Sequence, residues 1–107
     1  MSITFDLIRG PSDAIILSYL AAGDSYGYQI NKDILGATDN QFELKEATLY
    51  TAFRRLEQAG YIISYWGTEN VGARRRYYKI TPEGREAYEA YKAEWEASKT
   101  VLDKLIK

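Results

Sequence analysis

Between Lys45 and Thr81 the chain changes its hydrophobic period, and that change limits the folds open to it. Glu46 to Gly60 places Leu49, Phe53 and Leu56 three or four residues apart, which collects them on one side of a helix. The other side carries Thr48, Thr51, Arg54 and Arg55, with Tyr50 at the boundary. Gly60 ends the helix, because glycine accepts the left-handed conformation common just past a helix end. Two runs follow, Tyr61–Trp66 and Arg74–Ile80, separated by a polar turn around Gly67 to Ala73, and together they predict a hairpin with a long loop. Alternation puts Ile63 and Tyr65 on one face and Ile62, Ser64 and Trp66 on the other. On the return strand Arg74, Arg76, Tyr78 and Ile80 alternate with Arg75, Tyr77 and Lys79. One face can then finish the core through Ile80 while the other stays basic and aromatic. A helix followed by a basic hairpin is the pattern of a winged helix-turn-helix.

Charge is distributed to match. The 107-residue chain has a net charge of -1, but residues 1–44 have two basic and six acidic groups, residues 45–81 seven and three, and residues 82–107 five and six. Positive charge is thus concentrated where the hairpin is predicted, a patch able to contact phosphates, while the acidic remainder limits loose electrostatic binding. Cysteine and histidine are both absent, which excludes disulfides, thiolate chemistry and the commonest metal ligand and general base. Neither paired carboxylates nor a nucleophile constellation appears, so no enzyme, cofactor or metal site is expected. With no leader and no apolar run of membrane length, the cytoplasm is the default compartment and no membrane partner is expected.

Ahead of the central stretch, Met1 to Gly10 reads as a short helix or an arm. A helix then runs from a cap at Ser12 or Asp13 through Ile16, Leu17, Tyr19 and Leu20 to Ala22. Asp24 and Ser25 are candidate caps for a second helix from Tyr26 to Leu35, in which Gly27 permits close approach of another helix. Gln41 to Leu44 alternates apolar and polar and reads as a short extended piece. After the hairpin, Thr81-Pro82 marks a helix start, with a hydroxyl cap and a proline at the first helical position.

This last helix runs nearly to Lys107, and about 25 residues at 1.5 Å each extend to roughly 37 Å, too long for so small a domain to cover. Tyr88, Trp95 and Leu102 are seven apart, as are Tyr91, Ser98 and Leu105, and the two series interleave into a coiled-coil-like seam. Dimerisation through the seam is the economical explanation, with residues 1–81 forming a DNA-reading domain and 82–107 the dimerisation helix. Tyr88, Tyr91 and Trp95 beside small Ser98 leave room for a slot between subunits, which would favour a planar aromatic or cationic ligand. Thr48, Thr51 and Arg54 are the base-or-phosphate candidates, Tyr50 and Arg55 backbone contacts, and Arg74, Arg75, Arg76 and Lys79 the wing contacts. The rival from another class is a dimeric winged-helix interaction module without sequence-specific DNA binding.

Two motifs, Glu46-Ala-Thr-Leu-Tyr50 with Arg55-Leu-Glu-Gln-Ala-Gly60, and Gly72-Ala-Arg-Arg-Arg-Tyr-Tyr-Lys-Ile-Thr81, make the chain resemble the PadR family of bacterial repressors from about Gly10 onward. Ser64-Tyr-Trp-Gly67 and Trp95 extend the resemblance to its small multidrug-responsive subgroup with a single C-terminal helix. The resemblance implies a homodimeric repressor of operator DNA, with Glu46 to Ala59 as recognition helix and Arg74 to Lys79 as wing. It also implies that Trp95 sandwiches a planar effector.

Overall fold

The computed structural model describes residues 11–69 and 72–107, so the expected arm at Met1 to Gly10 lies outside the described residues. Among the described residues four helices and one hairpin follow in order: α1 (Ser12–Ala22), α2 (Gly27–Ala37), α3 (Glu46–Gln58), β1 (Ile62–Trp66), β2 (Arg76–Ile80) and α4 (Pro82–Leu105). The mainly helical architecture with one small antiparallel hairpin and a long final helix is that of a winged helix-turn-helix. Ile16, Leu17 and Leu20 of α1, Ile30 and Ile34 of α2, and Leu49, Phe53 and Leu56 of α3 form one buried cluster with Ile62, Tyr78 and Ile80. Phe53 stacks on Tyr78 with ring centroids 3.9 Å apart, which seats the hairpin on α3.

The strands pair as the alternation predicts. Ile62 lies opposite Ile80 and Ser64 opposite Tyr78 on the inner face, while Ile63 opposite Lys79 and Tyr65 opposite Tyr77 form the outer one. Tyr61, Arg74 and Arg75 fall outside the ladder, so each strand is shorter than its sequence run. Ser25 also pairs with Tyr78, whose N–H donates to the Ser25 carbonyl at 2.8 Å, so the turn before α2 is a third edge of the wing. Helix α3 closes through Gly60 at φ 80°, with Tyr61 N–H donating to Leu56 O and Gly60 N–H to Glu57 O, both at 3.0 Å.

Several expected caps are spent elsewhere. Pro11 occupies the N-cap of α1 with no side-chain cap, and the Asp13 carboxylate is engaged by Arg55. Tyr26 likewise caps α2 without a side-chain bond: Asp24 accepts from the Tyr65 hydroxyl at 2.6 Å, and Ser25 is held by its bridge to Tyr78. Helix α2 continues to Ala37, two residues past the expected end. Gln41 to Leu44 forms no strand; instead the Asn31 side chain donates to Leu44 O at 2.8 Å and accepts from Leu44 N–H at 2.9 Å. One amide thereby supplies both bonds a neighbouring strand would have made, and Phe42 and Leu44 are buried beside it.

Thr81 performs the expected capping and one task more. Its hydroxyl accepts from Gly84 N–H at 3.0 Å and donates to Gly60 O at 2.7 Å, joining the start of α4 to the end of α3. Gly84 is buried because its backbone lies against the Tyr61 carbonyl, which a Cβ would overlap. Beyond Tyr88, α4 leaves the core, and the molecule is elongated, 55 × 32 × 21 Å.

Candidate nucleic-acid interface and aromatic groove

The outer side of α3 is open over Thr51 and Arg54, with Thr48 half-buried and Tyr50 exposed. Tyr50 is fixed on two sides. Its ring meets Phe53 edge-on at 5.7 Å, and its hydroxyl lies where a Cβ on Gly27 would come within 2.9 Å. The close approach that Gly27 permits is therefore α3 against the N-terminus of α2. Arg54 makes no ion pair or hydrogen bond among the described residues, so its charge is available to a ligand.

Arg55 is placed differently. It donates to Asp13 through both Nε, at 3.1 Å to Oδ2, and Nη2, to Oδ1, in a two-pronged contact between α3 and α1. That hydrogen bonding is the main cause of its raised pKa. The same helix thus offers one free guanidinium and one already bound to a carboxylate.

The wing arginines are also unequal. Arg75 pairs with Glu69 at 3.3 Å and lies 4.9 Å from the centre of the Tyr26 ring. Arg76 donates to Ser64 Oγ at 2.8 Å and forms an ion pair with Glu57 at 3.8 Å, so it ties the hairpin to α3. Arg74 and Lys79 are exposed without such partners among the described residues. Tyr65, Tyr77 and Tyr26 form a ladder beneath the wing, Tyr65 stacking on Tyr77 at 5.6 Å and Tyr77 meeting Tyr26 edge-on at 5.3 Å.

On the other side of the molecule α4 diverges from α1 and leaves an open groove of about 780 Å³. Tyr88, Tyr91, Trp95 and Ser98 all line it, facing Ile15 and Tyr19 of α1. The four residues expected at a slot between subunits therefore already share a concavity within one chain. Trp95 is 52% exposed and Leu102 46%, while Leu105 continues the apolar stripe beyond the groove. Desolvation is the main cause of the raised Tyr91 pKa, with the Asp13 charge second.

A sequence profile of the transcriptional regulator PadR-like family matches residues 16–90, which include α3, the wing and the start of α4. The chain belongs to the PadR family. A transcriptional regulator from Clostridium thermocellum is 53% identical, covering 98% of this chain and 99% of that one, with a TM-score of 0.89. A PadR family transcription regulator from Clostridium difficile R20291 is 37% identical over 91% of this chain and 99% of its own, TM-score 0.79. An uncharacterised protein from Lysinibacillus sphaericus is 42% identical over 98 residues, 92% of this chain and 90% of its own. The PadR chain is a transcriptional regulator, not an enzyme. No group of three or more residues able to hold a metal occurs among its described residues, and none of its described helices is long and apolar enough to cross a membrane.

The sequence reading missed the carboxylates that claim three of the basic candidates: Asp13 for Arg55, Glu69 for Arg75 and Glu57 for Arg76. Only the Glu69–Arg75 pair is close enough in sequence to have been signalled there, across the predicted hairpin loop. Gly84 was equally silent, because a helical glycine shows its use only when the neighbouring carbonyl is in place.

Proposed function

We propose that this PadR-family chain is a homodimeric repressor that reads operator DNA with α3 and touches the flanking backbone with its wing. The supporting observation is the side-by-side placement of an open α3 face, bearing Thr51 and Arg54, and a hairpin locked to it through Glu57 and Arg76. Residues 1–81 form the reading domain, and α4 joins the two copies through Tyr88, Tyr91, Trp95, Ser98, Leu102 and Leu105. In the dimer the two α3 helices enter successive major grooves about 34 Å apart, with Thr48, Thr51 and Arg54 at bases or phosphates. Tyr50 lies at the backbone, and the wing contributes Arg74 and Lys79, with Arg75 and Arg76 behind them. Arg55 reaches the backbone only by leaving Asp13. The test is titration of labelled DNA from immediately upstream of the gene against scrambled DNA at physiological salt. Clear preference for the upstream fragment is expected, and equal affinity for the two would end the proposal.

Effector control is the second part of the reading, and it is favoured by the groove that gathers Tyr88, Tyr91, Trp95 and Ser98. A planar aromatic or cationic compound stacked on Trp95 would act as in the small multidrug-responsive subgroup with one C-terminal helix. To regulate, it must prefer the dimer geometry that binds DNA poorly; equal affinity for both geometries would shift nothing.

A further inference from the structure

Arg74, Arg75 and Arg76 are one charge cluster in sequence and three environments in space. Glu69 Oε1 accepts from Arg75 at 3.3 Å and from the Tyr77 hydroxyl at 2.9 Å. Gly67 makes room for this carboxylate: a Cβ there would overlap it and come within 2.7 Å of the Tyr77 ring. The Gly67 N–H donates to the Arg75 carbonyl at 2.7 Å, and the Arg75 guanidinium lies over Tyr26. Glu69, Arg75, Tyr77 and Tyr26 therefore form a packed set that joins the wing loop to β2 and the start of α2. Arg76 is turned the other way, onto Ser64, Glu57 and the Trp66 ring. Arg74 is exposed and has no ion pair or hydrogen bond among the described residues.

We propose that Arg74 is the phosphate contact of the wing, and that Arg75 is a positioning residue whose charge is already matched by Glu69. The inference rests on the operator-binding reading above. A phosphate reached by a free guanidinium gives up its condensed counterions. A guanidinium that must first leave a carboxylate exchanges one anion for another and brings little net charge to the DNA. Glu69 thus stands in for a phosphate at Arg75, and its removal converts a structural arginine into a DNA contact.

The test is the slope of log affinity against log salt for the upstream DNA fragment, measured by fluorescence anisotropy over about 50 to 200 mM KCl. Arg74→Gln is expected to weaken binding and lower the magnitude of the slope by about 1. Arg75→Gln leaves the slope unchanged. Glu69→Gln raises it by about 1 as Arg75 becomes free, and the double variant Glu69→Gln/Arg75→Gln returns to the wild-type slope. Arg75→Lys keeps the charge but loses the planar fork, so it also holds the wild-type slope and provides a second variant should Arg75→Gln unfold. A slope lowered by Arg75→Gln, or one untouched by Arg74→Gln, overturns the assignment. Wild-type protein with no salt-dependent binding to the fragment would instead remove the operator-binding reading on which it rests.

Discussion

Asp13 and Arg55 are 42 residues apart in the chain and share a two-pronged contact in the fold. The example is general for this protein, where the residue types show which side chains can carry charge and only the packing shows which charges are spent. Tyr65 illustrates the same point for a hydroxyl. Its hydrogen bond to Asp24 is the main cause that pushes its pKa from the ordinary 10.0 to about 12. The folded chain then keeps a proton that the unfolded chain releases, so this contribution to stability is complete below pH 10 and is lost as pH rises through about 12. Thermal melts between those values should show a falling midpoint that Tyr65→Phe makes shallower, and an unchanged slope in that variant would count against the bond. At Gly84 two effects oppose each other. Alanine would gain up to about 1 kcal/mol of helix propensity, but its Cβ overlaps a backbone carbonyl that cannot rotate away, an overpacking cost of about 1–3 kcal/mol. Gly84→Ala should therefore destabilise, with the denaturation midpoint as the measure.

Elements were the most legible level. Apolar spacing identified α3 with its buried Leu49, Phe53 and Leu56, and strand alternation identified the inner face with Ile62, Tyr78 and Ile80, because a buried face imposes its period on the sequence. At Gln41 to Leu44, read as a short extended piece, Phe42 and Leu44 are buried, and two bonds with Asn31 take the place of a strand partner. Caps were readable only where the side-chain oxygen stayed within reach of its own helix's N–H groups. Thr81 caps α4, whereas the Asp13 and Asp24 carboxylates are drawn to tertiary partners and the Ser25 backbone is bridged to Tyr78. Since Thr81 also holds the Gly60 carbonyl, Thr81→Ala should cost about 1–2 kcal/mol, at the upper end for a cap, and Thr81→Ser should restore most of it. Urea unfolding of the pair would decide; equal losses in both variants would assign the effect to the methyl group.

At the scale of the whole molecule the outstanding feature is α4, whose 24 residues extend about 36 Å while only its first turns reach the core. An isolated chain would leave Trp95, Leu102 and Leu105 in water, which is the physical motive for the proposed dimer. Leu102→Lys with Leu105→Lys should convert the dimer to a monomer in sedimentation velocity and abolish tight operator binding together; a wild-type monomer would remove the motive. The sequence alone determined the order of helices, hairpin and terminal helix, the faces that turn inward and the concentration of positive charge in the middle of the chain. Those properties follow from local periodicity and composition. Tertiary structure decided which arginines remain free, that Tyr88, Tyr91, Trp95 and Ser98 border one groove against α1, and that Gly84 must be glycine. Each of these depends on atoms brought together across a long stretch of chain, where no spacing rule records the contact.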